Sequence, residues 1–178
     1  MCIESATSNS EPIYSVSYSH RPIFFYFFLS INAWAVSVDE NTELNNDTID
    51  IQQLMDTANV TLTNNKLLER TSGASTVRVQ SNGVTVTNNA GASIVHSSGS
   101  NRAVRVDANQ TNFTLNNSGT ISSTGDRGVD MRGGSTVTIN NNSGGTITAP
   151  DDTLRFISSG GTINNSGTLS ATKVPTYL

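Results

Sequence analysis

Ala103-Val104-Arg105-Val106-Asp107 is followed further along the chain by Gly128-Val129-Asp130-Met131-Arg132, the same short phrase with small changes. It is also present on either side, as Thr76-Val77-Arg78-Val79-Gln80 and Thr153-Leu154-Arg155-Phe156-Ile157. Val77 to Val104 is 27 residues, while Val104 to Val129 and Val129 to Leu154 are 25 each. Two further phrases return behind it in constant order. One runs Val84-Thr85-Val86-Thr87-Asn88-Asn89, Phe113-Thr114-Leu115-Asn116-Asn117, Val137-Thr138-Ile139-Asn140-Asn141 and Thr162-Ile163-Asn164-Asn165. The other runs Ala92-Ser93-Ile94-Val95, Gly119-Thr120-Ile121-Ser122, Gly145-Thr146-Ile147-Thr148 and Gly167-Thr168-Leu169-Ser170. Val60-Thr61-Leu62-Thr63-Asn64-Asn65 reads as a partial leading copy. Apolar residues at period two, bounded by Gly, Ser and Asn, mark strands and turns. A whole unit recurring at this interval marks a repeat architecture.

Three short strands per repeat and no helical spacing describe one rung of a right-handed parallel β-helix. The predicted fold is an all-β solenoid of about four to five rungs over residues 60–170. With neighbouring strands about 4.8 Å apart, the rod is roughly 20 Å long. Alternation assigns the faces of the first strand stack. Val77, Val104, Val129 and Leu154 form one inward row, and Val79, Val106, Met131 and Phe156 the other. Outside, Arg105, Asp130 and Arg155 align, with Arg78 ahead of them, and Asp107 meets Arg132. Such opposite-charge neighbours contribute roughly 0.2–1 kcal/mol each, whereas Arg78 over Arg105 repels. In the second stack Val86, Leu115, Ile139 and Ile163 face inward beside the paired asparagines. Those asparagines can bond side chain to side chain up the rod or supply the left-handed backbone of a corner, and a mixture of the two is expected. Gly119, Gly144 and Gly167 fit the corner reading as well.

The chain has 178 residues, 35% of them hydrophobic and 6% aromatic, which suits one domain with a thin core of β-branched residues. A net charge of −4 argues against nucleic acid as a partner, because phosphate binding needs clustered Lys and Arg. The acidity is concentrated between Val36 and Asn59, where Asp39, Glu40, Glu43, Asp47, Asp50 and Asp56 occur without a basic residue. Residues 36–59 read as an acidic polar leader, with the stretch from Thr48 to Met55 a candidate N-terminal cap. Cys2 is the only cysteine, so no intramolecular disulfide forms.

His20-Arg21 precedes an apolar run from Pro22 to Ile31, which Ala33-Trp34-Ala35 follows. A basic flank, a short apolar core and a small-x-small triplet outline a secretory signal, with Ala33 and Ala35 preceding the cleavage point. The run is shorter than the roughly 20 residues needed to span a bilayer, so export is expected rather than anchoring. Residues 1–35 are thus a signal-bearing extension and 171–178 a short tail.

Candidate catalytic carboxylates are Asp107 with Asp130, or Asp126 with Asp151 and Asp152. A pair of this kind serves glycoside hydrolysis, and a carbohydrate-active β-helix enzyme is therefore the rival reading. Against it, each strand carboxylate has an arginine predicted one rung away, and aromatic platforms for sugars are nearly absent. His20 and His96 are far apart in the chain and share no metal-ligand spacing. Gly133-Gly134-Ser135 lacks the residues of a calcium-binding nonapeptide. No cofactor is expected.

The phrases Asn116-Asn117-Ser118-Gly119-Thr120-Ile121-Ser122 and Asn164-Asn165-Ser166-Gly167-Thr168-Leu169-Ser170, behind an export signal, resemble the passenger domains of bacterial autotransporters. The resemblance covers residues 36–170 and implies a non-enzymatic rod on a Gram-negative cell surface. Adhesion or aggregation is the role it implies, with a host or neighbouring cell surface, matrix or a second copy as partner. Members of that family end in a membrane barrel of about a dozen strands, at roughly ten residues per strand, and only Ala171 to Leu178 follow the repeats here. An N-terminal fragment, a truncated relative, a partner of a separate translocator and a relic reading frame all accommodate this. Without a translocator, the periplasm is the expected location.

Overall fold

The computed structural model describes residues 35–157 and 159–172. Ala33 and the apolar run of the export signal lie outside the described residues, as does the tail from Lys173. The described chain winds as a parallel β-solenoid with three strands per rung and no helix.

Each side of the solenoid is a parallel six-stranded sheet. The first stacks β1 (Ala35–Ser37), β4 (Gln52–Met55), β7 (Val77–Val79), β10 (Val104–Val106), β13 (Val129–Met131) and β16 (Leu154–Phe156). The second stacks β2 (Thr42–Leu44), β5 (Thr61–Asn64), β8 (Thr85–Asn88), β11 (Thr114–Asn117), β14 (Thr138–Asn141) and β17 (Thr162–Asn165). The third stacks β3 (Thr48–Ile49), β6 (Leu67–Arg70), β9 (Ser93–His96), β12 (Thr120–Ser123), β15 (Thr146–Ala149) and β18 (Thr168–Ala171).

The register follows the repeat. Val77, Val104, Val129 and Leu154 are successive partners, as are Val86, Leu115, Ile139 and Ile163. Period-two alternation turns every second side chain inward, so these columns and that of Ile94, Ile121 and Ile147 form a single core. Phe113 and Val137, just before their strands, fill a corner of it. Leu154 and Phe156 pack against the core but are only partly buried, and Ile163 and Leu169 are 43% and 37% exposed. Their rung is covered from one side alone among the described residues.

The solenoid starts earlier than the repeat phrases indicate. Ala35 opens β1, and the acidic stretch expected as a leader supplies the first rung and part of the second. Val38, Met55 and Val60 continue the core, while Leu54 is buried in the outward column, in register with Arg78. The segment proposed as a cap straddles two rungs, with Thr48 and Ile49 in β3 and Gln52 to Met55 in β4. All four residues of β4 are buried, and Gln52 Nε2 donates to Ser75 O at 2.6 Å. The N-terminal edge is finished by side-chain acceptors in place of strand carbonyls. Asn41 Oδ1 accepts from Thr61 N at 2.8 Å, Asp47 Oδ1 from Leu67 N at 3.2 Å and Asp50 Oδ1 from Thr71 N at 2.7 Å. Exposed charge along an outermost strand blunts further pairing.

The corner glycines act by more than one device. Gly144 takes a left-handed φ of 81°, as a corner requires. Gly119 and Gly167 do not; a Cβ on either would lie 2.2 Å from a carbonyl oxygen of the rung below, that of Ala92 or Gly145. They are small because neighbouring backbones approach closely there.

Leu115→Ala removes a wholly buried side chain and is expected to lower the unfolding free energy by about 2–5 kcal/mol. Leu169→Ala, at the exposed rung, should cost well under half of that. Urea denaturation followed by far-ultraviolet circular dichroism measures both.

Candidate functional site

The outer face of the first sheet gathers most of the arginines of the rod. Arg78 and Arg105 are register partners, the pair expected to repel, and Asp107 bridges them. Arg78 Nη2 lies 2.8 Å from Asp107 Oδ2 and Arg105 Nε 2.7 Å from Oδ1, while Gln80 Nε2 donates to Oδ2 at 3.1 Å. Burial pushes the Asp107 carboxyl up, but the hydrogen bonds from Arg78 and Gln80 and the charges of Arg78 and Arg105 outweigh it. The group is held below the usual carboxylate range.

One rung along, Arg155 grips Asp130 with both branches of its guanidinium, Nε to Oδ1 at 2.6 Å and Nη2 to Oδ2 at 2.9 Å, a bidentate geometry. The alignment placed Asp130 between Arg105 and Arg155; the Arg155 contact forms and the Arg105 contact is replaced. Arg105 turns to Asp107, and Arg102 takes its place, with Nε 3.0 Å from Asp130 Oδ2, within ion-pairing reach but not aligned as a hydrogen bond. Arg132, expected against Asp107, points to Asp130 at 3.9 Å. Asp130 was expected on a solvated outer row and is instead wholly buried, because three long side chains fold over a short one.

Arg102 and Arg127 were missed by reading the strands alone. Each stands two residues before an inward valine, in a column with Ser75 and Asp152 whose backbones stack in register. Thr76 N donates to Arg102 O, Ala103 N to Arg127 O and Gly128 N to Asp152 O, each at 3.3 Å. The repeat itself therefore carried the signal, one position outside the strand. Arg127 holds Asp126, Asp152 and Asp151 at 2.8, 3.0 and 3.3 Å. Burial opposes its charge, yet the Asp152 hydrogen bond and the nearby carboxylates of Asp126, Asp130 and Asp151 raise its pKa above the ordinary value. Both candidate carboxylate groups, Asp107 with Asp130 and Asp126 with Asp151 and Asp152, are thus laced to guanidinium groups. A carboxylate held low in pKa, as Asp107 is, makes a poor proton donor near neutral pH.

A second constellation runs inside the second sheet. Asn64 Nδ2 donates to Asn88 Oδ1 at 3.0 Å, Asn88 to Asn117 at 2.9 Å, Asn117 to Asn141 at 2.8 Å and Asn141 to Asn165 at 2.8 Å. The other amide proton of each donor goes to a backbone carbonyl, those of Ser93, Thr120, Thr146 and Thr168 at 3.0, 3.0, 3.3 and 3.2 Å. The ladder is buried from Asn64 to Asn141. Of the two roles expected for the paired asparagines, these take the ladder; left-handed Asn backbone occurs instead at Asn59, Asn109 and Asn112.

His96 closes β9 on the inward side, between its register partners Arg70 and Ser123. Its Nε2 lies 3.1 Å from Ala74 O, which assigns the proton to that nitrogen. Nδ1 is buried without a hydrogen-bond partner. Burial pulls the pKa of His96 below the ordinary value, against carbonyl contacts that favour the cation and with help from the Arg70 charge.

Among the described residues no group of three or more His, Cys, Asp or Glu side chains is placed to hold a metal ion. No described helix is long and apolar enough to cross a membrane. Searches against protein families, curated proteins and solved structures return no match to this chain.

Asn117→Ala leaves the Asn88 amide without its acceptor and the carbonyls of Asn141 and Thr146 without a donor. It is expected to cost about 1–3 kcal/mol, whereas Asn140→Ala, on the outer surface, should cost less than about 1 kcal/mol; chemical denaturation distinguishes them. A second expectation concerns pH. His96 binds its proton less readily folded than unfolded, so stability is complete above the unfolded pKa of about 6.5 and declines as pH falls below it. Replacing His96 with Gln should flatten the melting temperature profile between about pH 7.5 and 5.

Proposed function

We propose that this chain is an exported, non-enzymatic β-helical rod of the autotransporter-passenger type, acting in adhesion or aggregation through its outer faces. The observation that carries the reading is the fate of the polar side chains. Asp107 and Asp130, one of the two carboxylate groups considered for acid–base work, are each bound by two or more arginines. They strengthen a surface rather than converge on a cleft. Repetition supports the same reading, because a solenoid presents long regular faces and each unit contacts only its neighbours. The leader-like segment ending at Ala35 supports export, and the Asn-Asn-Ser-Gly-Thr phrases support the passenger resemblance.

The contact surface in this reading is spread over many weakly contributing groups, as a rod that meets cells, matrix or other rods at many points requires. Beads coated with the full-length protein should aggregate or attach to cells and matrix, and Asp107→Asn should leave that attachment within about twofold, a change of only ~0.4 kcal/mol. Coated beads that bind nothing would overturn the proposal. Cleavage of a polysaccharide by the protein, lost in Asp107→Asn with the fold intact, would replace it with the enzymatic reading.

A further inference from the structure

The three outer faces of the rod differ in chemistry. The first carries the arginines and aspartates, and the third is interrupted by Leu67, Glu69 and Val95, which share its outward columns. The second is uniform. From β5 to β17 its outward pairs are Thr61 and Thr63, Thr85 and Thr87, Thr114 and Asn116, Thr138 and Asn140, and Thr162 and Asn164. They stand in register as two columns without a charged or aromatic side chain. Glu43, the register partner of Thr63, bounds the array at its N-terminal edge.

The asparagines of the array are also bonded to one another. Asn140 Nδ2 donates to Asn116 Oδ1 and Asn164 Nδ2 to Asn140 Oδ1, both at 2.8 Å. A third column just past the strands is tied in the same way, Asn65 to Asn45 at 2.7 Å, Asn89 to Asn65 at 2.6 Å and Asn142 to Ser118 at 3.0 Å. Threonine is stiff at χ1, and side-chain ladders of this kind hold a sheet against its natural twist. The result is an uncharged, two-dimensional lattice. Its ranks are about 4.8 Å apart and the two residues of a rank about 6.6 Å apart.

Such a surface has neither a concavity for a small molecule nor an aromatic plane for a sugar ring. What matches a lattice is a second lattice, and the first of these spacings lies near a repeat between equivalent oxygens in hexagonal ice, while the second falls about a tenth short of another. Hydroxyl and amide groups anchor waters at lattice points, and the threonine methyls order the waters between them. Absence of charge is part of the fit, since a fixed ion imposes a hydration shell of its own. Because the asparagines are bonded to one another and threonine has few χ1 rotamers, little conformational entropy is lost on contact. We infer that the outer face of the second sheet binds ice. The inference rests on this face alone and is independent of export or adhesion.

The full-length protein is compared with two variants, Thr114→Tyr with Thr138→Tyr on the second sheet and Thr120→Tyr with Thr146→Tyr on the third. Inhibition of ice recrystallisation and thermal hysteresis are read, with circular dichroism reporting that each remains folded. The unaltered protein and the third-sheet variant should arrest ice growth equally, and the second-sheet variant should need at least about tenfold more protein, or ~1.4 kcal/mol. A folded protein that leaves ice growth unchanged would overturn the inference. So would equal loss in both variants, or second-sheet binding to a neutral glycan or another copy with no effect on ice.

Discussion

Every rung of this rod is hydrogen-bonded only to the rung above and the rung below, and that parallel, in-register stacking is the constraint on which the remainder depends. A rung by itself would bury almost nothing. Stacked, it completes a core only if the same position faces inward on each turn, because a slip of one residue exchanges the inner and outer faces of a strand. The asparagine ladder makes such a slip costly. Each amide from Asn64 to Asn141 reaches the next asparagine and a carbonyl of the next rung through this register, and a buried amide left unpaired costs about 1–3 kcal/mol. Valine and isoleucine columns reward burial in general; the amides reward one alignment.

The same stacking governs the outer faces. A residue type that recurs at one repeat position becomes a column, so outward chemistry is sorted by side of the rod. On the first sheet this places Arg78 over Arg105 and creates a problem of like charge, which Asp107 relieves from the end of its own strand. On the second it yields the uncharged threonine and asparagine ranks. Arg102 and Arg127 reach the charged cluster from the turn before the strand, where the chain has just rounded a corner and can lay a long side chain back across the sheet. Surface ion pairs of this kind contribute little singly. Asp130 is the exception, since its burial makes the loss of its arginine partners costly.

Repetition was legible in the chain without a structure. The spacing of Val77, Val104, Val129 and Leu154 was enough to predict strand order, parallel stacking and the inward rows, because side-chain period and repeat period are both local properties. That Arg155 would neighbour Asp130 followed from the same alignment; the bidentate geometry did not. Less was legible where the repeat is degenerate. Gln52 to Met55 shows no alternation, yet β4 occupies its place in the first sheet, because the neighbouring rung templates it and Gln52 satisfies its amide against Ser75 O.

By itself, then, the sequence determined the class of fold, the register and the identity of the inward columns, all consequences of periodicity. Only the tertiary structure decided where the solenoid begins and which arginine meets which aspartate. It alone placed Asp130 and His96 out of water, and it assigned the asparagines to a ladder instead of the corners. These outcomes depend on how long side chains reach across turns and how closely backbones approach between rungs. Such distances arise from the packed coil in three dimensions and have no signature in spacing along the chain.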